Sequence, residues 1–391
     1  MGIKVLWITP CFPIHQEDKR SQYLSDPLSA LLALDVEPIA LVTQSWRPKW
    51  ASVFHSDFIV EKIDYSNCLI KIKLCRYLSI PRHYFRLFSN FFYLMRVVPE
   101  IKKLAKLHHF DVIHAHGEIC GLAAVRASKK LKIPTVVTIH GIDTCPRVWN
   151  GLSGKMFRRV LNEANKLIFV GEPLRKHFQP LINHSEHVSI VPNGFRLPTT
   201  FNVSQFRTDD HPIRIISVSN LHEGKGIELT LLALAKLQEQ GVTNWSYTII
   251  GSGAQQKLCE RIIKQHHLKS KIIFKGDCNH DVVYSCLRNA DVFCLPSYRE
   301  AFGIAYVEAM AHGLLTIGVR GQGPEAFITH EKTGLLVKPK DLPSLIKMLK
   351  FSITDYQNTR VIAETGKKHV LTHFSWQKHA KELMSIYQGL L

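Results

Sequence analysis

Residues 296–340 read PSYREAFGIAYVEAMAHGLLTIGVRGQGPEAFITHEKTGLLVKPK, and this stretch decides the fold of the second half of the chain. An apolar run, Ala290–Leu295, precedes it, and a run of small residues typical of a helix begins near Gly303. The pattern therefore predicts a buried strand, a loop that carries Glu300 and a helix that carries Glu308 about two turns in.

Glu300 and Glu308 are eight residues apart, so on a helix they would point about 80° away from each other. They are therefore placed to hold two separate parts of one long, hydroxylated ligand. Between them, the backbone amides of Phe302, Gly303 and Ile304 would stand at the positive end of a helix, where an anion is favoured. A nucleotide sugar has this layout of ribose, diphosphate and hexose. The alternative is a capped helix with two incidental glutamates.

This stretch resembles the retaining glycosyltransferases of family 4, which have the two-domain GT-B fold. The segments P-S-x-x-E-x-F-G-x-x-x-x-E-A-M-A-x-G and G-L-L-V-x-P-x-D match the order and spacing of that family. The resemblance implies retaining transfer of a hexosyl group from a nucleotide-diphospho-sugar to a saccharide or lipid-linked saccharide, as in the synthesis of cell-surface polysaccharide or glycolipid. It implies no cofactor, because the nucleotide sugar is a substrate.

The length and patterning of the chain predict two domains. With 391 residues, 46% of them hydrophobic, the chain is globular and long enough for two cores. Short apolar runs alternate with helix-length segments in both halves, which is typical of doubly wound parallel sheets. The pattern predicts strands at 4–8, 38–43, 112–114, 135–138, 166–170, 188–191, 213–217, 246–250, 271–274, 292–295 and 315–318.

A polar stretch at 196–211 interrupts this alternation and is interpreted as an interdomain linker. The predicted fold class is therefore α/β. Two Rossmann-like domains, 1–195 and 212–371, are expected to face a central cleft. The resemblance further implies that a final helix, 372–391, crosses back to the N-terminal domain.

The loop Asn220–Gly226 follows a predicted strand and opens a helix, which is where open α/β sheets bind ligands. In the family this loop usually reads G-R-L-x-x-x-K-G. Lys225 and Gly226 match it, whereas Ser219 and Asn220 replace the usual Gly and Arg. The ammonium of Lys225 is predicted to neutralise the donor diphosphate, while Asn220 offers only a neutral hydrogen bond. The alternative is an ordinary exposed lysine.

His140 lies in T-I-H-G-x-D, directly after an apolar run. The segment resembles the family loop whose His faces the donor hexose, so His140 and Glu300 are the predicted catalytic residues. The alternative is a satisfied structural histidine. The upstream segment 111–116, DVIHAH, is interpreted as mainly structural.

Gly276 and Asp277 follow the end of another predicted strand. The resemblance places the nucleotide base against their backbone, so both are predicted to bind the donor.

The N-terminal loop Thr9–Gln22 contains no glycine, in contrast to its counterparts in the family. Polar side chains such as Lys19, Arg20 or Gln22 are candidates to bind the acceptor instead.

The chain is strongly basic, with 50 Lys and Arg against 32 Asp and Glu, a formal charge of +18. A polyanionic partner is therefore expected: nucleic acid, a nucleotide or an anionic membrane. Segment 71–106 holds nine Lys or Arg and one acidic residue, interleaved with aromatic residues. This composition favours anionic lipid headgroups, although a solvated helix face over a normal core is the alternative.

The N-terminus shows no secretory signal, and no apolar run reaches the length of a membrane span. The nine cysteines include no C-x-x-C pair and fit a reducing compartment. The expected location is therefore cytoplasmic and peripheral, on the inner face of the membrane. A D-x-D motif is absent, so metal-independent transfer is expected, with no metal ligands among the site residues.

Three rival functions remain open. One is a nucleotide-sugar 2-epimerase on the same fold, which would isomerise the donor without an acceptor. Another is a nucleic-acid-binding protein, which the charge suggests but no helix-turn-helix, RNP or zinc-finger pattern supports, so no nucleic-acid partner is expected. The last is an inactive membrane-associated scaffold, which the missing arginine at Asn220 favours and the intact Glu300 and Glu308 oppose.

Overall fold

The computed structural model describes residues 2–13, 22–46, 63–65, 68–79, 82–141, 151–196 and 211–391. The chain divides into two compact units, one comprising Met1–Gly194 with Trp376–Leu391 and the other Phe195–Ser375. Most of the predicted linker, 197–210, lies outside the described residues.

The described part of the first unit contains an eight-stranded sheet flanked by helices. Its strands are β1 (Ile3–Thr9), β2 (Val36–Trp46), β3 (Ile63–Tyr65), β4 (Cys68–Leu78), β5 (Val112–His116), β6 (Thr135–Ile139), β7 (Lys166–Phe169) and β8 (Val188–Ile190). Its first five helices are α1 (Gln22–Leu32), α2 (Arg82–His108), α3 (Glu118–Leu131), α4 (Gly151–Glu163) and α5 (Glu172–Phe178). The order is β3-β4-β2-β1-β5-β6-β7-β8, and every pair is parallel except β3 with β4.

The second unit contains six parallel strands in its described residues. These are β9 (Ile213–Val218), β10 (Trp245–Ile250), β11 (Ile272–Gly276), β12 (Val292–Cys294), β13 (Leu315–Val319) and β14 (Leu335–Val337). The helices of this unit are α6 (Ile227–Glu239), α7 (Gln256–Gln265), α8 (His280–Arg288), α9 (Ile304–Ala311), α10 (Leu342–Thr354) and α11 (Tyr356–His373).

The strand order of the second sheet, β11-β10-β9-β12-β13-β14, fixes where a ligand can bind. The chain winds outward from β9 in one direction and from β12 in the other. The loops that leave the carboxyl ends of these two neighbouring strands therefore diverge and open a crevice, the usual ligand position in doubly wound sheets.

The last helix, α12 (Trp376–Gln388), belongs to the first unit. Its residues Ala380, Leu383 and Tyr387 are fully buried in the core cluster that also contains Trp7 and Leu28. The prediction that the final helix returns to the N-terminal domain is therefore confirmed, and the apolar stripe of this helix is explained by that packing.

All eleven predicted strands are present, with ends that differ by a few residues. The pattern does not predict β3, β4 or β14. β4 has the sequence CLIKIKLCRYL, in which basic residues alternate with apolar ones. It occupies the start of the basic segment 71–106, and residues 82–106 of that segment lie in α2. The described part of the segment is therefore mainly a strand followed by a helix. No described helix combines the length and the apolar composition that crossing a bilayer requires.

Candidate active site

The loop between β9 and α6 approaches the segment that follows β12 very closely. Gly226 has φ 73°, and a Cβ there would lie 2.4 Å from the carbonyl oxygen of Pro296. Only glycine fits both this left-handed conformation and this contact. The carbonyl oxygen of Gly224 accepts hydrogen bonds from the amide of Tyr298 (2.9 Å) and from Oγ of Ser297 (3.0 Å). These contacts join the two loops that diverge at the centre of the sheet.

Lys225 and Glu300, carried by these two loops, form an ion pair. Nζ of Lys225 donates to Oε2 of Glu300 at 2.8 Å, and the two side chains are 17% and 14% exposed. The sequence predicted both residues at the donor but assigned them to different parts of it. The structure brings them into direct contact, so each side chain neutralises the charge of the other.

The backbone of Glu300 is fixed on both sides by the segment after β13. Its amide donates to Oε1 of Gln322 at 3.0 Å, and its carbonyl accepts from the amide of Gly323 at 2.8 Å. A Cβ on Gly323 would lie 2.5 Å from the backbone of Phe302, so glycine is required for this approach. Gln322 therefore positions Glu300, a role that the sequence motif did not reveal.

The start of α9 stands directly beside this pair. Gly303 caps the helix with φ 91°, and Ile304 is its first residue. A Cβ on Gly303 would lie 2.6 Å from the ring of Tyr306 and 3.2 Å from Cγ of Glu300. The side chain of Phe302 is buried, with its ring centroid 5.3 Å from that of Phe327. Phe302 can therefore offer a ligand its backbone alone.

Glu308 lies in the second turn of α9 and is 7% exposed. The hydroxyl of Tyr284 on α8 donates to its Oε1 at 3.1 Å. Tyr284 thus orients a carboxylate that the sequence predicted as a donor ligand, although no motif singled out this tyrosine. Glu300 and Glu308 have different partners and lie on different elements, as the spacing predicted.

Gly276 is the last residue of β11 and Asp277 follows it, and both brace a neighbouring turn. The carbonyl of Gly276 accepts from the amide of Gly251 at 2.7 Å, and Oδ2 of Asp277 accepts from Oγ of Ser252 at 2.7 Å. A Cβ on Gly251 would lie 1.9 Å from the carbonyl oxygen of Ser219. This turn therefore supports the start of the loop that carries Asn220, which is exposed.

His140, in the first unit, directly follows β6. Its Nε2 lies 2.8 Å from Nδ1 of His116 at the end of β5, and the two rings are stacked with centroids 5.1 Å apart. The ring of Tyr23 approaches His140 edge-on at 5.2 Å. Burial, with a smaller contribution from His379, lowers the pKa of His140 to about 3. The imidazole is therefore neutral at physiological pH.

His140 is partly buried and adjoins a layer of buried, neutral histidines. Nδ1 of His114 lies 2.6 Å from the hydroxyl of Tyr387, and its Nε2 lies 2.8 Å from Oγ1 of Thr138. Burial and neighbouring histidines hold the pKa values of His114 and His116 well below the usual range. His114 and His116 are two residues apart on β5, the strand spacing that puts side chains on one face. That spacing is the sequence signal for their grouping.

Other residues named from the sequence lie outside the described part of the chain. Lys19, Arg20 and Asp143 are among them, and of Gln22 only the backbone is described.

Two family models match consecutive parts of the chain. Residues 9–197 match Glycosyltransferase Family 4, and residues 199–369 match Glycosyl transferases group 1. The matches meet where the two units divide. The fold and the charged crevice define a glycosyltransferase of GT-B type. The chain belongs to the family 4, group 1 glycosyltransferases.

Among similar proteins, an uncharacterized glycosyltransferase of Methanocaldococcus jannaschii is 28% identical over 71% of this chain and 75% of its own length. Glycogen synthase of Mycobacterium tuberculosis is 27% identical over 71% of this chain and 68% of its own. Relatives with different products thus share this sequence pattern.

Two solved structures have the same fold over nearly the whole chain. Sucrose-phosphate synthase of Thermosynechococcus elongatus has a TM-score of 0.77 with 19% identity, covering 99% of both chains. Anabaena HepE in complex with UDP-glucose has a TM-score of 0.74 with 17% identity, covering 99% of this chain and 100% of its own. These similarities confirm the GT-B fold.

Proposed function

We propose that the protein transfers a hexosyl group, with retention, from a nucleotide-diphospho-sugar to a saccharide or lipid-linked saccharide. The observation that carries this proposal is the Lys225–Glu300 ion pair at the divergent loops of the second sheet. An ammonium and a carboxylate at this position suit the diphosphate and the hydroxyls of one donor. The UDP-glucose bound by Anabaena HepE is of the proposed donor class.

Donor binding in this proposal exchanges the partners of one ion pair. The ammonium of Lys225 moves from the carboxylate of Glu300 to the diphosphate, which carries more charge. The carboxylate of Glu300 is then free to accept hydrogen bonds from hexose hydroxyls. Because the diphosphate replaces Glu300 as the partner of Lys225, the ammonium keeps a charge-assisted hydrogen bond, and its desolvation adds no separate cost to donor binding.

The leaving diphosphate needs stabilisation as the glycosidic bond breaks. Lys225 and the helix starts at Ile227 and Ile304 supply positive charge and partial positive charge there. No metal ion is assigned a role, and retention is inferred from the family. Glu308 takes the ribose hydroxyls in this arrangement, and His140 acts at the sugar near its reacting carbon.

A nucleotide-sugar binding screen tests this proposal. Uridine, guanosine and adenosine diphospho-sugars are compared by calorimetry on the parent and on Lys225→Met. One donor class should bind, and the variant should lose about 1.5–3 kcal/mol of that binding, the usual worth of a hydrogen bond to a charged group. Glu325→Gln, an exposed carboxylate whose Oε2 accepts from the amide of Gly321, is the control and should bind as the parent does. Absence of binding by all three classes would contradict the proposal.

For the acceptor, we propose a lipid-linked saccharide reached from an anionic membrane surface on the cytoplasmic side. Helix α2 exposes large apolar side chains, including Phe88 (57%), Phe91 (56%) and Met95 (62%). Arg96, Lys103 and Lys106 lie on the exposed part of the same helix. An exposed apolar stripe with basic neighbours suits a headgroup interface.

Sedimentation with vesicles tests the membrane proposal. Anionic vesicles should capture the parent at low salt, and capture should fall at high salt because the charges are screened. Phe88→Ser with Phe91→Ser should reduce capture. Val361→Ser, which removes an equally exposed apolar residue from α11, should not. No capture at low salt would indicate a soluble acceptor.

A further inference from the structure

Two histidines at the ends of neighbouring strands share a hydrogen bond. Nδ1 of His116 and Nε2 of His140 are 2.8 Å apart. Such a bond needs an N–H on one ring and a lone pair on the other. The outer nitrogens, Nε2 of His116 and Nδ1 of His140, are shielded from solvent and have no hydrogen-bond partner among the described residues.

The groups packed around the pair are uncharged rings. They are His114 on β5, His379 on α12, Tyr23 on α1 and Trp7 on β1. The acidic residue nearest to His116 in the sequence is Glu118, the first residue of α3. Burial is the main cause that lowers the pKa of both His116 and His140, and neighbouring histidines add to it.

We propose that His116 is a positioning residue that fixes the ring orientation and the tautomer of His140, which burial keeps neutral where it meets the sugar. This inference rests on the proposed function. If His140 donates the shared bond, its Nδ1 carries no proton and Nε2 of His116 carries one. If His116 donates, Nδ1 of His140 carries the proton and Nε2 of His116 does not. The pair therefore acts as one unit with a defined donor and a defined acceptor.

Neutrality matters because positive charge develops at the anomeric carbon during glycosyl transfer. A positive imidazolium nearby would oppose that charge, whereas a neutral ring adds no such repulsion. Protonating both rings of the pair would also break their shared bond, since no lone pair would remain on either facing nitrogen. Protonation of one ring alone would leave a donor and an acceptor at the shared bond, so the bond excludes only the doubly protonated pair. Burial is the main cause of the neutral state.

Two substitutions of His116 separate positioning from packing. In His116→Asn the amide group stands near the place of Nδ1 and can keep the bond to His140, whereas His116→Leu fills the space without it. We expect kcat within about threefold of the parent for the asparagine variant and at least tenfold lower for the leucine variant, the scale of a lost hydrogen bond of about 1.4 kcal/mol. Donor affinity should change less than twofold in both.

A third substitution, His116→Asp, places a negative charge beside His140. In His116→Asp the carboxylate accepts from Nε2 of His140 and favours the imidazolium. The pKa of His140, about 3 in the parent, should rise by about one to three units. Activity should then fall as the pH is lowered, with a midpoint that follows this titration.

Imidazole NMR of the parent and the variants gives a readout that does not depend on activity. His140 should remain neutral in a single tautomer from pH 8 to pH 5 in the parent, should keep that tautomer in His116→Asn, and should titrate higher in His116→Asp. Tyr387→Phe is the control for disturbed packing, because it removes the partner of His114 and leaves the pair intact. It should lower stability and leave both kcat and the His140 signals unchanged.

Equal kcat for the asparagine and leucine variants would overturn the proposal. Titration of His140 between pH 5 and pH 8 in the parent would overturn it as well. If the leucine variant does not fold, the NMR results on the asparagine and aspartate variants decide. A parent that transfers no sugar from any donor contradicts the proposed function instead, while the NMR still tests whether His116 sets the state of His140.

Discussion

Two polar clusters of the molecule, the Lys225–Glu300 pair and the His116–His140 pair, differ in charge. In the second unit, Lys225 and Glu300 are charged, partly exposed and paired at 2.8 Å. In the first unit, His116 is buried and His140 is partly buried. Both are uncharged, and a hydrogen bond of the same length joins them. A charged pair can exchange its partner for an ionic ligand at little cost. A neutral, mostly buried pair resists such exchange and keeps its geometry.

This difference fits the two tasks that glycosyl transfer requires. The diphosphate is a permanent anion that must be attracted and then released, which suits a partly exposed ion pair that can change partners. The reacting carbon is uncharged in the ground state and becomes positive only briefly. It is better served by groups whose orientation is fixed in advance. The predictions below test this contrast.

The largest effect is expected from Glu300, compared with Glu308. Glu300→Gln keeps the shape of the side chain but loses its charge, so transfer should fall about 10²- to 10³-fold, as for the loss of one transition-state contact. Its affinity for free nucleoside diphosphate should stay the same or rise, because Lys225 is released from its ion pair. Glu308→Gln should instead weaken nucleoside diphosphate binding, since its proposed partner is ribose.

Calorimetry with nucleoside diphosphate and a transfer assay on the same folded variants make this comparison. Glu325→Gln, which changes an exposed carboxylate after β13, is the control and should leave both readouts as in the parent. If both glutamate variants lost nucleotide affinity equally, the proposed orientation of the donor along α9 would be wrong.

An intermediate effect is expected from acid on the histidine layer. The pKa of His379 is lowered to about 4 by burial, so the folded state does not take up a proton that the unfolded state binds below about pH 6.5. Stability should therefore be fully present above pH 6.5 and decrease as the pH falls toward 4. The slope is about 1.4 kcal/mol per pH unit for each such histidine.

Urea unfolding at several pH values measures this slope. His379→Asn, which can keep the hydrogen bond to the carbonyl of Pro192, should reduce the slope by the share of one histidine. The exposed His184→Asn is the matched control and should leave the slope as it is in the parent. A parent whose stability does not change between pH 7 and pH 5 would show that the layer is not held neutral.

Much of the fold could be predicted from the sequence because its signals are local. Parallel strands buried on both faces appear as short apolar runs, and the Glu300–Glu308 segment fixes a strand, a loop and a helix by itself. β4 could not be predicted in this way. Its alternating basic and apolar residues pair with β2, far along the chain, and such a partner is not visible in a local pattern.

The sequence motifs name candidate residues of the site but do not predict the contacts that these residues make. Lys225, Glu300 and His140 each stand in a recognisable motif. Their partners are set by which strands are neighbours: Gln322 reaches Glu300 from the segment after β13, and His116 reaches His140 from β5. Tyr284 lies on α8, and no motif marks it. The sequence contains no spacing that links these residues in pairs.

The smallest effect is expected from Asn220→Arg, which restores the residue usual in the family. Asn220 is exposed, on a loop braced by the turn at Gly251, so an added guanidinium would act on the diphosphate through solvent-screened charge. Such exposed contacts are worth about 1 kcal/mol or less. Donor affinity should therefore rise by no more than about fivefold, and the gain should shrink at high salt.

Calorimetry at low and high salt measures this gain, with Asn220→Gln as the uncharged control. Equal affinity of Asn220→Arg and Asn220→Gln at low salt would mean that the diphosphate does not lie beside this loop. Lys225 would then balance the charge of Glu300 and nothing more.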